Sequence, residues 1–203
     1  LWPDVALIGV LALIIVTRFL PVGSLEAPMW GDSLQHTMIV QILIDRGGLF
    51  QDWQPYADLY SFSYHYGFHA LAAALHWVTG LGAPGATLWM GQILNVLAAL
   101  ALYPLGARLS GNRWAGVGAV LVAGLLSPMP MHYLNWGRYT QLAGQVILPA
   151  MARLCLDALD APRASWRALG PAVLALAGLS LTHYRVLLLG APAPQSRYFT
   201  IHS

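Results

Sequence analysis

Thr87-Leu88-Trp89-Met90-Gly91-Gln92-Ile93-Leu94-Asn95-Val96-Leu97-Ala98-Ala99-Leu100-Ala101-Leu102-Tyr103-Pro104-Leu105-Gly106-Ala107-Arg108-Leu109 carries no charge before Arg108. At about 1.5 Å per residue, a helix of this length crosses a hydrocarbon core of about 30 Å with residues to spare. A surface helix of a water-soluble domain would show a charged face. This one has none, so the stretch predicts a membrane-spanning helix and sets the class for the rest of the chain.

The composition agrees. Hydrophobic residues make up 58% of the 203 and charged residues 9%, where an ordinary soluble domain holds about 25% charge. Mean hydropathy is +0.60. These values predict an all-α fold, a polytopic transmembrane helical bundle. All ten basic residues are arginine, the net charge is +2, and no basic run or basic helical face is present. Nucleic acid is thereby excluded as a partner, because nothing is arranged to neutralise its phosphates. Cys155 is the sole cysteine and rules out an internal disulfide.

Working outward toward the N-terminus, residues 67–79 are apolar, bounded by glycine and interrupted by His69 and His76. They suit a re-entrant or tilted helix better than a span. Before them, 51–66 is rich in aromatic residues and fits the headgroup level, where Trp and Tyr are favoured. Residues 33–46 predict an amphipathic helix lying along the interface. Its apolar face is Leu34, Met38 and Ile42 with Ile39 and Leu43, its polar positions are Ser33, Gln35, His36, Gln41 and Asp45, and Gly47-Gly48 ends it. Residues 5–20 form a first membrane helix, stopped by Pro21 and Gly23. They lack the basic leading region and cleavage site of a signal peptide.

Toward the C-terminus, 114–131, 142–156 and 169–181 predict further spans, with a polar link over 157–167. Ala115, Ala119 and Ala123 give the first of these a small-residue face for close helix approach. The organisation is then one transmembrane domain over 1–190, with juxtamembrane amphipathic helices in a large first outer loop at 22–67. The tail over 191–203 reads as irregular and cut short.

Charge sets the orientation. If 67–79 does not cross, Arg108, Arg113, Arg153, Arg163 and Arg167 fall on the side of the N-terminus, the cytoplasmic side by the positive-inside rule. Arg18 and Arg46 run against that count. The opposite face then gathers Asp32, His36, His65, His69, His132, Arg138, His183 and Arg185, and an apolar chain concentrates polar groups where it faces water or does work. Several of them have plainer readings. Asp32, with Gln35 three residues on, matches the start of a capping box. His65 and His69 stand at i,i+4, a metal-compatible spacing with no third ligand nearby. Arg138 and Arg185 also suit interfacial anchors, and Trp53, Tyr56, Tyr60 and Tyr64 a membrane belt as well as a platform for a sugar ring.

The layout of a membrane helix, an outer loop opening on an acid, a juxtamembrane helix and a span ending in Leu105-Gly106-Ala107-Arg108-Leu109-Ser110-Gly111-Asn112-Arg113 resembles the N-terminal half of GT-C glycosyltransferases. The resemblance covers about residues 5–186. It implies an integral protein of the bacterial plasma membrane that takes a sugar from a polyprenyl-phosphate carrier on the extracytoplasmic face, as protein O-mannosyltransferases and aminoarabinose transferases do. It places the loop acid at Asp32, acting at the acceptor as general base or through a divalent metal. His36, His65, His69, Trp53, Tyr64, Arg138, Tyr139, His183 and Arg185 become candidates for binding substrate. Two departures are visible: Asn135-Trp136-Gly137-Arg138-Tyr139-Thr140 has no second carboxylate, and Ser63-Tyr64-His65-Tyr66-Gly67 replaces the Lys-Pro-Pro or His-Pro-Pro element. Membrane lipids and other membrane subunits are the further expected partners. The alternative is a non-catalytic transmembrane subunit, a scaffold or cofactor holder within a larger complex.

Overall fold

The computed structural model describes residues 1–161 and 165–190, and all its regular elements are helices. Arg163 and the tail 191–203 lie outside the described residues. The helices are α1 (Trp2–Phe19), α2 (Gly31–Arg46), α3 (Gly67–Thr79), α4 (Ala83–Leu100), α5 (Leu102–Ser110), α6 (Arg113–Leu121), α7 (Met131–Asn135), α8 (Tyr139–Leu159), α9 (Trp166–Thr182) and α10 (Tyr184–Gly190). A π-helical turn, Val122–Leu126, extends α6.

Four segments are long and apolar enough to cross a membrane by length and composition: Trp2–Phe19, Ala83–Ser110, Arg113–Asn135 and Tyr139–Leu159. The fifth span expected near 169–181 belongs to an apolar helix below that length. Within Ala83–Ser110 the helix breaks at Ala101. Pro104 has no N–H to return to the Leu100 carbonyl, which is a sufficient cause for a break there.

The opening stretch turns out to be the axis of the molecule. One core cluster joins Val40, Phe68, Leu94, Ala98, Tyr139 and Leu142, from α2, α3, α4 and α8. A second joins Val10, Ile14, Val96, Ala99, Val117 and Val120, from α1, α4 and α6. Only α4 contributes to both. Half of its spanning window is buried, against 17% for α1, so α1 keeps most of its apolar surface outward.

Ionic contacts gather the loops at two ends. Asp4 pairs with Arg113, and Arg108 and Arg153 pair with Asp157, at the end that holds the start of α1. At the other end Asp32 pairs with Arg138. Arg18 belongs to neither group. Only 8% exposed, it donates through Nε to Asn95 Oδ1 at 2.8 Å and through Nη2 to the Gly124 carbonyl. It therefore ties α1 to α4 and to the π-helical turn and is no loop charge.

Helix α2 corrects one expectation. Its buried residues are Ser33, His36, Ile39, Val40, Ile42 and Leu43, while Leu34 is 75% exposed. The helix turns that mixed face toward α3 and α4. Two polar residues take the inward positions because each finds a partner there. Gly47, at φ 64°, closes the helix, and the Gly47 and Gly48 amides return to Ile44 and Leu43.

Candidate functional site

Asp32 does not cap α2. The N-cap is Trp30, at φ 82° and ψ 154°, and no side chain caps the helix. Asp32 sits inside the first turn, where the helix dipole favours a negative charge, and its carboxylate is free to face outward. Trp30 holds a backbone conformation that essentially only glycine adopts, at a cost of about 1–3 kcal/mol. Such strain lies two residues before the acid.

Arg138 reaches Asp32 across the chain, Nε to Oδ2 at 3.4 Å, with both side chains about half exposed. Gly137 sets that approach. It has φ 67°, and a Cβ there would stand 2.7 Å from the Ser33 nitrogen. Beneath it, Ser33 Oγ donates to the Met29 carbonyl at 2.6 Å. A carbonyl only accepts, so the serine proton is committed and Tyr139 donates to Ser33 Oγ at 3.1 Å. Gly67 does the same work at the start of α3: a Cβ there would lie 2.8 Å from Thr182 Cα. That contact sets α3 against the end of α9 and brings the His65 and His183 rings to a 4.8 Å centroid distance.

These contacts enclose a cavity of about 510 Å³ lined by Asp32, His36, Tyr64, His65, Arg138, Gln141, His183, Tyr184 and Arg185, with Ser63 and Thr140 completing it. Most of the expected site residues meet there. His69 and Tyr139 lie directly behind the wall, His69 bonded to His36 and Tyr139 to Ser33. Trp53 does not join them. Its Nε1 donates to the Ser61 carbonyl and its ring packs on Phe62. Gln141, Thr140 and Tyr184 were missed by sequence reasoning. Only their neighbours Arg138, His183 and Arg185 pointed to the spot.

The histidines of the cavity are neutral near pH 7. Burial pushes His36 down to about 4, against a smaller upward pull from Asp32. Burial likewise brings His183 to about 4, helped by His65 and Arg185. His65 is lowered by burial and then by Arg185. The positive charge of the cavity is therefore carried by Arg138 and Arg185, and His65 serves as a neutral ring stacked on Tyr64 at 4.2 Å. Its Nε2 is buried and has no hydrogen-bond partner among the described residues.

No family model, curated protein or solved structure matches the chain. Its chemistry rests on the geometry above.

The residues do not fit a divalent metal. Among the described residues Asp32 is the only carboxylate lining the cavity, and it faces Arg138. Among the described residues no group of three His, Cys, Asp or Glu side chains converges. The expected i,i+4 histidine pair does not form either, because His65 precedes α3 and His69 turns its Nδ1 to the His65 carbonyl at 3.1 Å. His76 is occupied as well, its Nδ1 lying 2.6 Å from the Leu81 carbonyl.

A second, apolar groove of about 510 Å³ adjoins the cavity, lined by Leu49, Tyr66, Gly67, Ala70, Ser180 and Leu181. The two share Ser63, Tyr64 and His65 as a common wall. A carboxylate and two guanidinium groups thus stand beside a surface suited to a hydrocarbon chain.

Proposed function

We propose that the chain is the N-terminal half of a GT-C type glycosyltransferase, moving a sugar from a polyprenyl-phosphate carrier to an acceptor. The observation that carries this reading is the shared wall between the Asp32–Arg138–Arg185 cavity and the apolar groove. One amphipathic ligand, a prenyl chain ending in a phosphate-linked sugar, matches both.

In this reading the bundle spans the bacterial plasma membrane as a polytopic domain with its outer loop at 22–67. The Asp4, Arg108, Arg113 and Arg153 end is cytoplasmic and the cavity extracytoplasmic. Arg18 no longer counts against that orientation, since it is bonded inside the bundle. Asp32 takes the proton of the acceptor hydroxyl as its oxygen bonds to the sugar's anomeric carbon. The bond from that carbon to the phosphate oxygen breaks, and the polyprenyl phosphate leaves with the bonding pair. Arg138 and Arg185 stabilise the charge that grows on it. Tyr64 offers a flat face to the sugar or the chain.

A second reading is favoured by one observation: the cavity has one carboxylate, and it is engaged by arginine. That suits a non-catalytic subunit that holds a lipid phosphate within a larger membrane complex. Transfer of sugar from a polyprenyl-phosphate donor by protein in lipid nanodiscs separates the two. Asp32→Asn lowers the rate by about 100-fold or more in the transferase, with folding intact. No transfer by the wild type with lipid phosphate still bound rejects the transferase in favour of the subunit, and unchanged transfer in the variant rejects Asp32 as the base.

A further inference from the structure

His36 Nδ1 and His69 Nε2 lie 2.9 Å apart at the α2–α3 contact. His69 is fully buried, and its Nδ1 faces the His65 carbonyl at 3.1 Å. The order of donors follows from the last contact. A carbonyl accepts only, so the His69 proton sits on Nδ1. In a neutral ring this leaves Nε2 as a lone pair, which then accepts from the Nδ1 proton of His36. His36 Nε2 is then left as the lone pair, on a ring that lines the cavity, and the Gly137 carbonyl beside the ring is the acceptor for the N–H that forms when this nitrogen takes a proton. The backbone thus assigns the tautomers of two rings in series.

We propose that His36 and His69 form a two-ring proton relay, with His36 Nε2 as the proton acceptor toward the cavity and His69 as the positioning residue behind it. It rests on the transferase reading only for the proton's source, the acceptor hydroxyl, either directly or after Asp32 one turn earlier on α2. The O–H bond of the ligand breaks and an N–H bond forms at His36 Nε2. The Nδ1 proton of His36 can then cross to His69 Nε2, while the other His69 proton stays on Nδ1 and remains donated to the His65 carbonyl. The proton later leaves by the same route, from His36 Nε2 to the departing lipid phosphate or to water, so no further reactant is needed.

The groups facing the pair set its balance. Asp32 and the Gly137 carbonyl favour a proton on His36, whereas burial, His65 and Arg138 oppose it. Around His69, burial, His36 and His65 oppose protonation and the His65 carbonyl favours it. The rings of Tyr64, Phe68 and Tyr139 pack around His36. A proton on the pair is thus disfavoured at neutral pH by burial and by the neighbouring rings and Arg138.

The test is nitrogen NMR of histidine-labelled full chain in lipid nanodiscs, for wild type, His69→Gln and His36→Gln, over falling pH. Both rings are expected as neutral Nδ1–H tautomers at pH 7, and their signals move together in one coupled step below the ordinary histidine range. In His69→Gln the amide oxygen still accepts from His36, so His36 keeps its tautomer but titrates alone. Two rings titrating independently, or an Nε2–H tautomer at His69, overturn the relay. No sugar donor is present, so a failure of the transferase reading leaves this outcome unaffected.

Discussion

Gly137 lies so close to Ser33 that a Cβ would stand 2.7 Å from the serine nitrogen, and it does so at φ 67°. The neighbouring Arg138 is delivered to Asp32 by this contact and by no helix of its own, being the residue before α8. Gly137→Ala must push α2 and the α7–α8 turn apart and adopt a strained backbone, at about 1–3 kcal/mol. The expected outcome is a Tm several degrees lower and loss of binding to lipid phosphate. Calorimetry and a vesicle-binding assay on the same preparation check both.

Acid should loosen the protein in a defined window. His36 is pushed down to about 4 by burial, while the unfolded chain titrates near 6.5. Between those values the unfolded state binds more protons than the folded one, so stability falls as pH drops from about 6.5 to about 4 and levels off below. The single residue accounts for about 3 kcal/mol over the full window. Thermal unfolding of wild type and His36→Gln at matched pH values measures it, and the variant should show the shallower slope.

Much of the fold was legible in the sequence, because bilayer thickness and periodicity leave few options for runs such as 87–109. The inward face of α2 was not. Apolar spacing pointed to Leu34, but the residues that turn inward are Ser33 and His36, whose partners Tyr139 and His69 lie 106 and 33 residues away. No local pattern carries such information. The candidate residues were nearly all legible as polar groups in an apolar chain, yet their roles were not. Burial and then Arg185 disfavour a charge on His65, and Trp53 belongs to a packed aromatic cluster with Phe50 and Phe62.

Ligand recognition should divide sharply between residues that looked alike. Arg138→Gln and Arg185→Gln each remove a charged donor from the cavity and should weaken binding of a short-chain prenyl phosphate by about 10-fold to 100-fold. Trp53→Ala, outside the cavity wall, should leave binding within about twofold while lowering stability. Titration with inorganic phosphate in parallel shows how much the apolar groove adds.

The Arg18 guanidinium offers a stability test away from the site. Arg18→Met leaves Asn95 Oδ1 and the Gly124 carbonyl without their donor, at about 2–4 kcal/mol. Asn95 has a second buried atom, Nδ2, already without a partner. Arg18→Met combined with Asn95→Leu should therefore cost less than the two single changes added together. Unfolding midpoints of the four proteins give the coupling energy.

The same arginine bears on how the protein is made. Its partners on α4 and in the π-helical turn come 77 and 106 residues later in the chain. During synthesis α1 therefore emerges with a charge that nothing can satisfy, and it acquires its bonding partners only after most of the chain exists. An intermediate holding α1 alone is a poor resident of lipid. In a bilayer, α1 on its own would have to hold Arg18, one residue from the helix end, out toward the surface until the central helix arrives to receive it.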